Sequence, residues 1–346
     1  MSPASPFLHL FLTLAISAFG GAVGQAAGVP AGILIGSTAA VTLAALSRRV
    51  PLFLPTGVRD IGFLMIGLSM GSGVTPDTLA LMARWPVSFL MLTLSAGVTL
   101  VIVMQLLVRF YRIDAETAFL GATPGALSYA IALAEDGRAD PAMVGALQSL
   151  RLLLLTALLP FVIGGLEGAA TLGTADAPQP VLTLLEVALL LAISAGLGHG
   201  LGRLGMPAAM LIAGLGLSAV CHATGLVSGP PPDLMQAAAL VIVGALLGTR
   251  FVGMSLSILR RLIGAALVIF VLSSSLAALA AMGTARWLDL PFAQVWVAYA
   301  PGGVEAMSAM ALALGYDPVF IAAHHLYRIF AMIAILPIFY RWVGGR

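Results

Sequence analysis

The sequence predicts an all-α polytopic membrane protein made of two tandem repeats, about ten spanning helices and two Pro-Gly segments that break mid-way. Three observations predict it: the composition, a self-match at one fixed offset, and the placement of the Pro-Gly pairs. Of 346 residues, 60% are hydrophobic and 9% charged, whereas a soluble domain carries about 25% charged residues. One soluble core could not bury that much apolar surface and still face water, which excludes a soluble enzyme, a disordered chain and a disulfide scaffold. All 16 basic residues are Arg and the net charge is +2, with no basic cluster of the kind that binds nucleic acid. Cys221 is the single cysteine and has no internal disulfide partner. The 39 glycines suit helices that pack closely in a membrane.

The self-match has an offset of 177 residues and no gap. Val29-Pro30-Ala31 matches Met206-Pro207-Ala208, Gly67 matches Gly244, and Thr123-Pro124-Gly125 matches Ala300-Pro301-Gly302. Asp140-Pro141 matches Asp317-Pro318, Arg151 matches Arg328, and Pro160 matches Pro337. The chain therefore divides into repeat one (7–164), a Gly/Ala/Pro-rich joint (165–183) and repeat two (184–341), packed as a single membrane domain over 1–346. Five apolar runs in the first half read as spans: 7–22, 29–46, 56–72, 85–108 and 142–165. Their partners are 184–200, 206–222, 233–249, 262–285 and 319–341. The 24-residue runs Trp85–Val108 and Leu262–Ala285 carry no charge and exceed the roughly 20 helical residues that cross a bilayer. The run from Phe7 to Val23 lacks the basic start of a signal peptide, and its counterpart lies mid-chain, so it reads as a retained helix.

Residues 115–134 and 292–314 each carry Pro-Gly between two apolar stretches. Proline removes a backbone donor and glycine weakens helix, so each segment should break there. Two structures fit, a broken spanning helix or a re-entrant hairpin. The arginines favour the hairpin through the positive-inside rule. With Arg151 and Arg328 set aside as mid-helix, 14 of the 16 remain. In the re-entrant arrangement, Arg48, Arg49, Arg59, Arg109, Arg112, Arg138, Arg203, Arg250, Arg260, Arg261, Arg341 and Arg346 face inside, and only Arg84 and Arg286 face outside. Five spans per half is an odd number, so the halves are expected to be inverted, with both termini cytoplasmic. Inverted repeats with broken backbone near the midplane are the organisation of many secondary transporters.

The candidate pathway is set by polar residues that an apolar segment does not otherwise carry. Glu305 follows Pro301, Gly302 and Gly303 in PGGVEAMSAM, where a charge costs about 2.5–3.5 kcal/mol on insertion scales. It reads as a proton carrier or cation ligand, or as a carboxyl paired with a neighbouring Arg. Arg151 and Arg328 lie ten residues past Pro141 and Pro318, about 15 Å along their helices. They could anchor an anion through the guanidinium fork, or tie down carbonyls at the nearby breaks. Gln148 aligns with His325, which shares a helix face with Arg328, and Ser128 aligns with Glu305. Tyr129 and Ser308 are further polar candidates, alongside Thr123, Pro124 and Gly125 of the first break. His324 and His325 are adjacent and offer no metal-ligand spacing; one of them reads as lining a polar seam. No Walker, Rossmann, hydrolase or zincin pattern occurs. No cofactor, metal site or enzymatic activity is expected.

The duplicated pattern resembles the AbrB-type membrane protein family. The matching stretches are VPAGILIG at 29–36, GATPGALSYAIALA at 121–134, APGGVEAMSAMA at 300–311 and AAHHLYRI at 322–329. Ala126 departs from the pattern, standing where a second glycine would make the two tips alike. Members of the family are commonly labelled regulators, others carry an ammonia monooxygenase label, and some relatives look like exporters. A monooxygenase needs clustered metal ligands and a DNA-binding regulator needs a soluble basic module; the chain carries neither pattern. The expected function is therefore secondary transport, by an exporter or ion-coupled carrier, of a small organic molecule, with an anion among the candidates. The alternative is a membrane-embedded sensor that affects gene expression indirectly. Expected partners are the small-molecule or ion substrate, the bilayer of a prokaryotic inner membrane and a second copy of the chain, with no direct nucleic-acid contact.

Overall fold

The computed structural model describes residues 6–74, 82–125, 127–167 and 181–344, without the side chains of 128, 167 and 337–344. Asp77, Ala126 and most of the joint lie outside the described residues. The described chain is helical throughout, in fourteen helices. These are α1 Pro6–Ala26, α2 Gly32–Ser47, α3 Thr56–Gly71, α4 Trp85–Tyr111, α5 Ala115–Ala122, α6 Leu127–Asp136 and α7 Pro141–Glu167. They are followed by α8 Leu184–Arg203, α9 Ala209–Ala223, α10 Asp233–Thr249, α11 Leu256–Leu288, α12 Phe292–Tyr299, α13 Val304–Leu314 and α14 Pro318–Gly344. Six of them, α1, α4, α7, α8, α11 and α14, are long and apolar enough to cross a bilayer. The chain is a multi-pass membrane protein.

Helices α3 and α10 match the runs read from the sequence to within a residue, whereas α2 and α9, of 16 and 15 residues and about 23 Å, start later than the runs read at 29–46 and 206–222. Backbone signals limit them. Ala31 and Ala208 precede α2 and α9 with φ of 53° and 51°, in the left-handed region that disfavours a Cβ. Arg48 stops α2 in the same conformation. Left-handed residues recur 177 apart: Gly28 with Gly205, Ala31 with Ala208, Arg48 with Gly225, and Arg112 with Asp289.

The chain forms two compact units, each drawing segments from both halves of the sequence. The first unit contains α1, α2, α3, α8, α9 and α10. In it α1 packs on α2, α3 on α9, and α10 on both α2 and α3. The seams are backbone on backbone. A Cβ built at Gly32 would lie 2.6 Å from the Gly24 carbonyl carbon and oxygen, and one at Gly71 would lie 2.5 Å from Leu215 O. Any side chain at these positions would force the helices apart. Buried hydroxyls bond across the seams, Ser17 Oγ donating to Val241 O at 2.7 Å and Ser218 Oγ to Leu68 O at 2.8 Å.

The second unit contains α4, α5, α6, most of α7, α11, α12, the start of α13 and α14 from Ile321. Here α11 packs on α4 and α12, and α4 packs on α5. Asp114 caps α5, accepting from Thr117 N at 2.8 Å. The backbone of Arg138 donates to Glu116 Oε2 at 3.1 Å, and that of Asp140 to Thr117 Oγ1 at 2.8 Å. The end of α6 thus returns to the start of α5, whereas a spanning segment would hold its ends about 30 Å apart. Of the two structures open for residues 115–134, the first half adopts the hairpin.

Candidate functional site

Helix α5 is eight residues long and ends inside the second unit, so its last carbonyls have no helical partner. In a bilayer no water is available to satisfy them. Side chains of α7 do so instead. Gln148 Nε2 donates to Leu120 O at 2.8 Å, Arg151 Nη1 to Ala122 O at 3.0 Å, and Arg151 Nη2 to Thr123 O at 3.1 Å. Thr123 Oγ1 donates back to Phe119 O at 2.9 Å. The same positions of α14 serve the second break. His325 Nε2 donates to Val297 O at 3.1 Å, Arg328 Nη1 to Ala300 O at 2.7 Å, and Arg328 Nη2 to Gly302 O at 2.6 Å. Both arginines are buried, 3% and 2% exposed, at helix C-termini where the backbone dipole favours a cation.

The carbonyl contacts occupy both terminal nitrogens of each guanidinium. The carbonyl tie-down, one of the two roles open for these arginines, therefore describes Nη1 and Nη2. The Nε atoms of Arg151 and Arg328 are buried without a hydrogen-bond partner. His325 is fixed by its neighbours: Val297 O can only accept, so Nε2 carries the proton, and Nδ1 accepts from Arg328 Nη2 at 2.6 Å. Its two nitrogens are committed in one neutral tautomer.

Glu305 is half-buried in the first turn of α13. Its carboxylate lies beside Gly303, where a Cβ would sit 3.1 Å from Oε2. Arg59 and Asp60 form a salt bridge at 2.7 Å; Glu305 makes none among the described residues. Tyr129 is half-buried in α6, and the Ser128 side chain lies outside the described residues. Ser308 is fully buried with Oγ unpartnered, in the other unit.

A small cleft of about 20 Å³ opens against Arg328, with Pro124 of one break and Pro301 of the other among its walls. Its remaining walls include Ser95 and Thr99 of α4, Ser273 of α11 and Tyr299 of α12. Tyr299 belongs to a polar chain that the sequence did not disclose. Its hydroxyl donates to Ser88 O at 2.8 Å and lies 3.0 Å from both Ser88 Oγ and Thr284 Oγ1. Ser88 Oγ is 2.7 Å from His324 Nε2. His324, read as one of two residues for a polar seam, is fully buried there against the Phe89 ring. The only signal for this chain was a Tyr immediately before Ala300-Pro301; Ser88 and Thr284 are ordinary helix residues in the sequence.

The family model described as "Transition state regulatory protein AbrB" matches residues 33–344. The chain belongs to the AbrB family. It is 27% identical to "Uncharacterized protein YhjN" of Bacillus subtilis over 95% of this chain and 91% of that protein. It is also 27% identical to "Putative regulator AbrB" of Escherichia coli over 86% of each chain. The printed names describe regulation, and the two Pro-Gly breaks and their arginines fall inside the AbrB match.

Proposed function

We propose that this AbrB-family chain is a secondary transporter, an exporter or ion-coupled carrier, of a small anionic organic molecule, and not an enzyme. The observation that carries the reading is the pair of backbone breaks held by two buried arginines beside a cleft. Irregular backbone at membrane depth is tolerated where it is buried in protein or lines a cavity, and ionisable groups there mark pathways. The halves are read as inverted, with both termini on the cytoplasmic side of a prokaryotic inner membrane. A reporter fused after Arg346 should then report cytoplasm and one inserted near Gly173 the outside; a cytoplasmic signal at Gly173 removes the inversion.

Glu305 is the coupling residue in this reading, because it is an acid in an apolar segment with no cation paired to it. His325 is set aside as carrier by its fixed tautomer. The test is uptake by purified protein in liposomes under an imposed pH gradient. Glu305→Gln should abolish pH-driven accumulation while exchange survives. Accumulation with an unchanged pH profile would move coupling to another cation.

A second reading, a membrane-embedded regulator without transport, is supported by the printed names of the family and of the Escherichia coli relative. Such a protein would act on gene expression through a partner. Liposomes that show no uptake of any anionic, neutral or cationic solute favour it.

A further inference from the structure

We propose that a pocket in the first unit is a binding site for a primary amine with a short hydrocarbon body, received by Asp233 with Gln25 and Gln236. The site goes beyond the transport reading. Its walls belong to the first unit, whereas both Pro-Gly breaks belong to the second.

Space is the first ground. Four chain segments meet at one corner: the end of α1, the turn into α2, the first two turns of α10 and the end of α13. They surround about 370 Å³, within the range of small-molecule sites and more than a bare ion fills. Left-handed Gly28 and Ala31 turn the chain between α1 and α2, and a Cβ at Gly28 would meet no atom within 4 Å. Pro30, Ile33, Leu240 and Leu312 supply apolar wall.

Charge and hydrogen bonding are the second ground. Among the described residues Asp233 is the only charged one in the wall. It stands in the first turn of α10, where the helix dipole favours a carboxylate. Its side chain makes no hydrogen bond or ion pair among the described residues, and neither do the side-chain amides of Gln25 and Gln236. A carboxylate only accepts, and each amide adds an accepting oxygen. The three N–H donors of a primary ammonium match these oxygens through charge-assisted bonds. A quaternary ammonium has no N–H to give and is recognised by aromatic faces, of which the wall has none among the described residues. An anion would meet the carboxylate.

The repeat is the third ground. At the 177-residue offset, Gln25, Asp233 and Gln236 match Gly202, Thr56 and Arg59, and Arg59 is engaged with Asp60. The left-handed turn forms there too, at Gly205 and Ala208. The scaffold therefore does not require an acid and two amides at this corner.

The experiment places a thiol in the pocket wall at half-buried Ala237. Ala237→Cys, in the full chain with Cys221→Ala and purified in detergent, is modified with methyl methanethiosulfonate while n-butylamine is titrated in. Butylamine should slow the modification. Its uncharged counterpart 1-butanol, the anion pentanoate and butyltrimethylammonium should each need about fivefold more for the same protection, the ratio that one partly exposed ion pair supplies. Asp233→Asn in this background should raise the half-protecting concentration of butylamine about fivefold and leave the rate without ligand in place. Gln25→Leu, at an exposed position, should raise it about threefold. Equal protection by the alcohol, the quaternary ion or pentanoate overturns the proposal. So does an unchanged concentration in Asp233→Asn, or a thiol that the reagent does not reach. A primary ammonium arrives either on a free amine or on an ethanolamine headgroup, and nanodiscs separate the two sources. Protection that needs added butylamine in both phosphatidylcholine and phosphatidylethanolamine discs assigns the site to a free amine. A thiol already protected in phosphatidylethanolamine discs, and open in phosphatidylcholine discs, assigns it to the headgroup.

Discussion

The two Pro-Gly breaks share one method of satisfying their backbone and differ in what surrounds it. At the first, Gln148 and Arg151 make three bonds to carbonyls, and the neighbouring positions Phe119, Ala122, Leu147 and Leu150 are apolar. At the second, His325 and Arg328 make the corresponding three, and the matching positions are Trp296, Tyr299, His324 and Tyr327. Each of those four side chains makes a hydrogen bond: Trp296 Nε1 donates to Ser274 O at 2.9 Å, and Tyr327 Oη lies 2.9 Å from Thr93 Oγ1. The arginine clamp is thus a structural requirement of a helix that stops in the interior. The polar chain through Ser88, His324, Tyr299 and Thr284 is not required to end a helix, because the first break ends without one.

The largest expected effect tests the clamp. Arg328→Lys keeps the charge but replaces a planar fork with one ammonium, which cannot hold Ala300 O, Gly302 O and His325 Nδ1 in the same geometry. The loss should be about 3 kcal/mol by denaturant titration in detergent. Arg151→Lys should cost less, since Arg151 has no histidine contact. Equal losses would mean that the histidine contact adds nothing.

Tyr299→Phe tests the polar chain next. It removes the hydroxyl that bonds the Ser88 carbonyl and lies against Ser88 Oγ and Thr284 Oγ1, and should destabilise by about 1–3 kcal/mol. Ala122→Ser, the counterpart change at the first break, should stay within about 0.5 kcal/mol if that side has no polar chain to join.

His325→Gln is a finer test. Gln148 already performs the donation at the first break, so a glutamine at 325 should reproduce it within about 1 kcal/mol and leave the pH profile of transport unchanged. A shifted profile would return His325 to the coupling role.

The smallest effect concerns the start of α14. Asp317 Oδ1 accepts from Val319 N at 2.9 Å and Phe320 N at 3.2 Å, but burial outweighs these bonds and pushes its carboxyl above the ordinary range. The fold therefore holds the Asp317 proton more tightly than the unfolded chain does. Its contribution is full below the ordinary value and is lost as pH rises from about 4 through the folded value. Asp317→Asn should flatten the melting temperature across that window, and an unchanged slope would assign the pH dependence elsewhere.

Much of this was legible in the sequence because it depends on local chemistry. Proline and glycine in an apolar run announce a break wherever the chain goes, and an arginine ten residues into an apolar helix must find acceptors. The spacing of Gln148 from Arg151, and of His325 from Arg328, placed each pair on one face. The cleft was not legible. Ser88, Thr99, Ser273 and Thr284 are common helix residues, and only packing brings Ser88 to Tyr299 across 211 positions. The starts of α2 and α9 were read too early because apolar composition continues back past the left-handed Ala31 and Ala208 that precede the two helices. Whether the anion-anchor or the tie-down role applied to the arginines also depended on distances: each terminal nitrogen donates to a carbonyl, while Nε has no partner.

The glycine seams of the first unit bear on how such a bundle assembles. Lipid tails are as apolar as leucine, so a helix gains little by exchanging lipid for a greasy neighbour. Where Gly24 meets Gly32, backbone touches backbone and no rotamers are frozen on contact. Close dispersion contact is gained there with little side-chain entropy lost, so the α1–α2 pair can form as soon as both helices are in the bilayer, before the buried polar groups of the second unit have found their partners.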